Sequence, residues 1–184
     1  MDEEKIISAP TEEQLWQQVI ADFKEDPDPL EYNTVLEQQG RRVILDIYNN
    51  HAVGFEAAAF TCFNTFLHNK NNFRFGIHTQ SFTDEVGKFF GMDDLILGFK
   101  DFDEKFIIKS NDEHKTLSLF ADAHVRDTLL SLSDISFGIV EYTMEDTDGK
   151  AAFLELKTEN AITDPLQLRE IYNAFFKILL LIEI

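Results

Sequence analysis

Residues 93–113 read DDLILGFKDFDEKFIIKSNDE, from Asp93 to Glu113, and this stretch decides the fold. Leu95–Leu97 and Phe106–Ile108 are apolar runs too short for helices and of the length of strands buried on both faces. Gly98 ends the first run, and Lys109 turns the second to solvent. Between them Asp101-Phe102-Asp103-Glu104 forms an acidic, aromatic link. Ser110 stands three residues before Glu113, which is capping-box spacing. In that motif a hydroxyl accepts from one free helix N–H, and a carboxylate reaches back to another. Strand, strand and helix start thus lie in one short stretch, the signature of a mixed fold.

Upstream, residues 1–10 read as frayed. Thr11-Glu12-Glu13-Gln14 repeats the capping pattern, and Leu15, Trp16, Val19, Ile20 and Phe23 recur at helical spacing over 11–25. Asp26-Pro27-Asp28-Pro29 stops that helix, because each proline pushes its predecessor out of the α region. Glu31–Gln38 and Arg41–Tyr48 flank Gln39-Gly40 as a hairpin, with Val43, Leu45 and Ile47 on the better-buried phase. Asn49-Asn50-His51 reads as a turn. Phe55–Leu67 is ambiguous, since its alanines permit a helix while its alternation favours a strand. Phe73, Phe75 and Ile77 alternate after another asparagine-rich turn. The four strands are expected to form an antiparallel meander.

Ser81 caps an expected short helix whose inner face is Phe82, Val86, Phe89 and Phe90. Downstream of the central stretch, two short helices carry Leu117, Leu119 and Phe120, then Val125, Leu129 and Leu132, with Asp122 as a cap. Ile135–Thr143 and Ala151–Lys157 pair about Asp148-Gly149. Asp164-Pro165 opens a last helix, with a capping side chain and then proline at the first helical position. From Phe175 onward that helix is apolar nearly all round. The expected fold is α+β: one domain over 1–184 with a core over 30–184, built as a curved antiparallel sheet of six to eight strands with helices mainly on one face.

The chain has 184 residues, 18 of them Phe, and a net charge of −18. Each buried ring removes roughly 150–250 Å² from water, so a phenylalanine-rich core is expected, and a Phe-lined pocket for an apolar ligand is the sharper alternative. The negative charge disfavours nucleic acid and anionic membrane surfaces as partners. Cys62 is the single cysteine, which excludes an internal disulfide and fits a reducing cytoplasm. The N-terminus has no apolar segment of the kind a signal peptide needs. No apolar run approaches the roughly 18 residues of a membrane span.

Phe102-Asp103-x-x-Phe106-x-Ile108-Lys109-x-Asn111-Asp112-Glu113 resembles a segment, FDxxFxIKxND(E), found in a family of uncharacterised bacterial proteins. The resemblance extends loosely from Gly40 to Leu180. Gly40-Arg41-Arg42 and Ile162-Thr163-Asp164-Pro165 are weaker echoes. It implies a soluble bacterial domain, often preceded in that family by a membrane-spanning segment, and it carries over no activity or catalytic residue.

Candidate chemistry is sparse. Asp101, Asp103 and Glu104, with Asp93 and Asp94, are a dense acidic group that as an enzyme could divide acid and base roles or hold a hard cation. His68 and His78 flank the expected third hairpin turn and could approach across it. Asp146-Thr147-Asp148-Gly149 matches part of a calcium loop, but Met144 falls at the first ligand position. Cys62 has no base beside it in sequence. No serine-hydrolase, P-loop or dinucleotide motif occurs, so no metal and no cofactor is assigned. The expectation is a non-enzymatic, cytoplasmic binding or interaction module. Its partner is another protein or a second copy of itself, reached through Phe175, Phe176, Leu179, Leu180 and Ile182.

Overall fold

The structure, a computed structural model, describes residues 4–50, 58–68, 72–81, 91–144 and 149–183. The chain runs β1 (Ile6–Ser8), α1 (Glu12–Glu25), β2 (Glu31–Gln38), β3 (Arg41–Asn50), β4 (Ala58–Leu67), β5 (Phe75–Thr79) and β6 (Asp93–Leu95). It continues with α2 (Lys100–Lys105), β7 (Phe106–Ser110), α3 (Glu113–Leu119), α4 (Ala123–Ser131), β8 (Ile135–Thr143), β9 (Lys150–Thr158) and α5 (Pro165–Ile182). The strands form one open sheet in the order β1-β2-β3-β4-β9-β8-β5-β7-β6, antiparallel except where β1 joins β2. Among the described residues the sheet has nine strands, more than the expected six to eight. Ile6–Ser8, expected to be frayed, supplies one edge as β1.

Turn chemistry and alternation set the register. Gln39 and Gly40 have φ of 51° and 74°, the left-handed pair of a type I′ hairpin, so Gln38 faces Arg41. On β3 the buried phase is Val43, Leu45, Ile47 and Asn49. Leu45 faces Phe63, which faces Leu156, then Phe137, Ile77 and Ile108 in turn across six strands. Every member of this row is buried. Helix α5 lies on it: the Phe175 ring is 6.1 Å from Phe63 and 5.9 Å from Phe137, and Tyr172 stands between Phe63 and Trp16 of α1. With α1 on one flank and α3 and α4 on the other, a helix apolar nearly all round from Phe175 onward is covered over most of its surface. We call this face of the sheet the inner face.

That placement corrects the expected interface. Phe175, Phe176, Leu179 and Ile182 are buried in the protein's own core, and Leu180 packs against it half-buried. The meander is corrected too. Of its four strands only β2, β3 and β4 are successive neighbours; β9 takes the place beside β4, and β5 pairs with β7 and β8. Asn49 and Asn50 continue β3 rather than turn. Phe55–Leu67 is a strand from Ala58 onward; 55–57 lie outside the described residues, as do the expected helix after Ser81 and Asp146–Asp148 of the calcium-like loop.

The central stretch departs most from its reading. Asp101–Glu104 is no link but part of helix α2, begun by the Phe102 and Asp103 amides donating to the Phe99 carbonyl at 2.9 and 2.8 Å. It is anchored by Phe102, whose ring meets Phe106 and Phe120, and by Lys105, whose ammonium donates to the carbonyls of Leu130 and Leu132 at the end of α4. The first strand is Asp93–Leu95, which leaves Ile96 81% exposed. Asp112, not Ser110, caps α3, accepting from the Lys115 amide at 2.9 Å. Ser110 ends β7, and its hydroxyl accepts from the Asp112 amide and the Thr116 hydroxyl. Asp122 and Asp164 cap α4 and α5 as expected.

Candidate functional site

The acidic residues of the central stretch are brought near one another in sequence but not around one point. Both carboxylate oxygens of Asp103 are taken by backbone, accepting from the Leu97 amide at 2.9 Å and the Gly98 amide at 2.8 Å. They close the loop that Gly98, at φ 85°, turns. Asp101 is exposed, and Glu104 lies 4.0 Å from Lys100 along the exposed side of α2. Asp94 pairs with Lys109 at 2.6 Å. Among the described residues no three His, Cys, Asp or Glu side chains converge as metal ligands.

His68 and His78 do not meet. His78 is in register, through Ser136 and Lys157, with Cys62 on β4. Three strand spacings and six residues therefore separate it from His68, about 25 Å by ordinary sheet dimensions. His78 is buried, with Nδ1 3.0 Å from the Thr79 carbonyl oxygen. Burial, helped by the carboxylates of Glu155 and Asp46, pushes the Cys62 thiol up to about 12. It is protonated at neutral pH and a poor nucleophile.

The arrangement that the sequence did not disclose lies on the face of the sheet turned away from the inner row. Here Phe66 faces Phe153 across β4 and β9. Phe66 is 47% exposed, edge-on to Phe153 at 5.7 Å and to His68 at 4.7 Å. Tyr142, also exposed, stands edge-on to Phe153 at 5.6 Å and donates from its hydroxyl to Glu155 at 2.7 Å. Along the same strands a polar belt of Asp46, Cys62, Asn64, Glu155 and Lys157 follows, and then the stacked rings of Tyr48 and Phe60 at 5.9 Å.

The aromatic end of this face is concave. Val35, Ile44, Phe66 and Phe153 line a groove of about 370 Å³ that also takes in Arg41, Arg42, His68, Glu4 and Glu183. The hairpin arginines form its rim. Arg41 pairs through Nε with Glu183 at 2.6 Å, and its Nη1 donates to the Gln39 carbonyl at 3.1 Å. Arg42 pairs with Glu4 at 3.0 Å through Nη2 and with Glu37 at 3.2 Å through Nε. A second hollow, lined by Ser8–Pro10 and 37–42, shares the same hairpin.

Sequence reasoning allowed a Phe-lined pocket but did not single out Phe66 or Phe153 as its lining. A signal was present. Strand β4 carries aromatics on both phases, Phe60 and Phe66 on one and Phe63 on the other. One sheet face can absorb only one phase, so an uncovered set had to exist unless the second face was packed as tightly as the first. Compared with family models, curated proteins and solved structures, the chain matches none. Among the described residues no helix is long and apolar enough to cross a membrane.

Proposed function

We propose that this is a non-enzymatic binding module, soluble and cytoplasmic, that takes its ligand in the groove over Phe66 and Phe153. The observation that carries the reading is Phe66, 47% exposed at the centre of an aromatic hollow. Leaving about half of a phenyl side chain in water forgoes on the order of 1 kcal/mol of burial, a cost that ligand binding would recover. The groove's volume of about 370 Å³ lies within the range of small-molecule sites. The resemblance carried by Phe102–Glu113 supports a bacterial source and adds no chemistry.

Two observations favour binding over catalysis at the acidic stretch. Asp103 is spent on two backbone amides, and Asp101 and Glu104 point to water. Self-association through α5 is not proposed, since that face is core. The test is titration with a neutral fluorescent naphthylamine whose emission rises in apolar surroundings. Saturable binding at one site, lost in Phe66→Arg at unchanged melting temperature, supports the reading. Equal binding by Phe66→Arg overturns it.

A further inference from the structure

Resting on that reading, we infer that the groove's ligand is an amphipathic carboxylate: an apolar body lying on Phe66, Phe153 and Ile44, with its carboxylate received by the Arg41-Arg42 hairpin. The floor alone would take any apolar molecule of the right size. The rim narrows the class. A guanidinium has five N–H donors spread over three nitrogens. Arg41 uses Nε and Nη1, and Arg42 uses Nε and Nη2. Nη2 of Arg41 and Nη1 of Arg42 have no protein acceptor among the described residues, and both side chains line the groove.

The acceptors are arranged the opposite way. Glu4, Glu37 and Glu183 are each already engaged by one of the two arginines. A cationic ligand would have to displace a tethered guanidinium, whereas an anion needs only to add to one. The Arg42 side chain is 55% exposed and that of Glu4 is 60% exposed. Ion pairs so open to water hold their partners weakly and can rearrange around a newcomer. A carboxylate is favoured over a phosphate because a single negative charge meets less repulsion than a double one from a chain with 34 acidic and 16 basic residues.

Calorimetric titration at neutral pH with decanoate, decanol and decylamine tests this, on the wild type and on Arg42→Gln and Phe66→Arg, each checked for fold by circular dichroism and melting temperature. Decanoate is expected to bind the wild type about tenfold more tightly than decanol, the order of one charge-assisted hydrogen bond, and decylamine more weakly than either. Arg42→Gln should bring decanoate down to the affinity of decanol and leave decanol unchanged. If decanol or decylamine matches decanoate, or if Arg42→Gln leaves decanoate untouched, the carboxylate assignment fails. The groove reading then still stands, provided Phe66→Arg abolishes decanol binding. If none of the three compounds binds and the neutral naphthylamine does not bind either, both fall together.

Discussion

The two faces of the sheet use the same residue types to opposite ends. On the inner face Phe63, Phe75 and Phe137 are fully buried, and their rings meet those of α5 and Phe120. On the outer face Phe66 and Phe153 touch each other, His68 and Tyr142, and Phe66 stays half in water. A phenylalanine on a strand is therefore not committed to the core by its chemistry. What commits it is its phase relative to the row that a helix covers.

The sharpest way to break this contrast is Phe137→Ala. A ring removed from the inner row leaves a cavity beneath α5 and should cost about 3–5 kcal/mol in urea unfolding; a loss below 1 kcal/mol by that measure would mean the row is not the core. Next comes Asp103→Ala, which separates a structural from a chemical role for the acidic stretch. Two amide hydrogen bonds to a charged acceptor are lost, and about 1.5–3 kcal/mol of stability should go with them. Metal titration of the wild type by calorimetry should show no heat that this substitution removes. At the small end, Phe66→Ala should cost about 1 kcal/mol, since the ring is half-solvated already and loses only its edge contacts with Phe153 and His68.

Acid titration sharpens the comparison in another way. Burial raises the carboxyl of Asp46, in the outer polar belt, above its ordinary value. A raised carboxyl favours the folded protein while protonated, so that contribution is present in acid and is lost as pH rises through the folded pKa. Asp46→Asn should therefore be more stable than the wild type at neutral pH, with the gap closing as pH falls below the usual carboxylate range. Glu12 runs the other way. Arg169, donating at 2.6 and 2.5 Å, holds its carboxyl below the usual range. That contribution is present at neutral pH and lost as pH falls through the folded pKa, so Glu12→Gln should lose stability at neutral pH and rejoin the wild type in acid. Melting temperatures of both variants across pH check the two signs.

Much of the inner face was legible in the sequence because alternation at period two and capping residues are local. Val43, Leu45 and Ile47 fell on the phase the sequence assigned, and Asp122 and Asp164 capped the helices expected of them. Strand order was not legible. Alternation tells a strand which side is apolar but not which neighbour it meets, so β5 was set beside β4 when two other strands lie between them. Helix α2 escaped because six residues are too few to show a helical period. The groove escaped because its rim is a turn and its floor comes from four strands, β2, β3, β4 and β9, a juxtaposition that no single stretch encodes.

Helix α5 covers the inner row, yet it follows every strand in the chain. During synthesis Leu45, Phe63 and Phe137 must wait for a segment made more than a hundred residues after the first of them. A nascent sheet lacking its lid offers sticky aromatic surface to other chains, the condition under which chaperones are needed. The same order predicts that the appearance of α5, rather than the pairing of any one hairpin, starts its collapse.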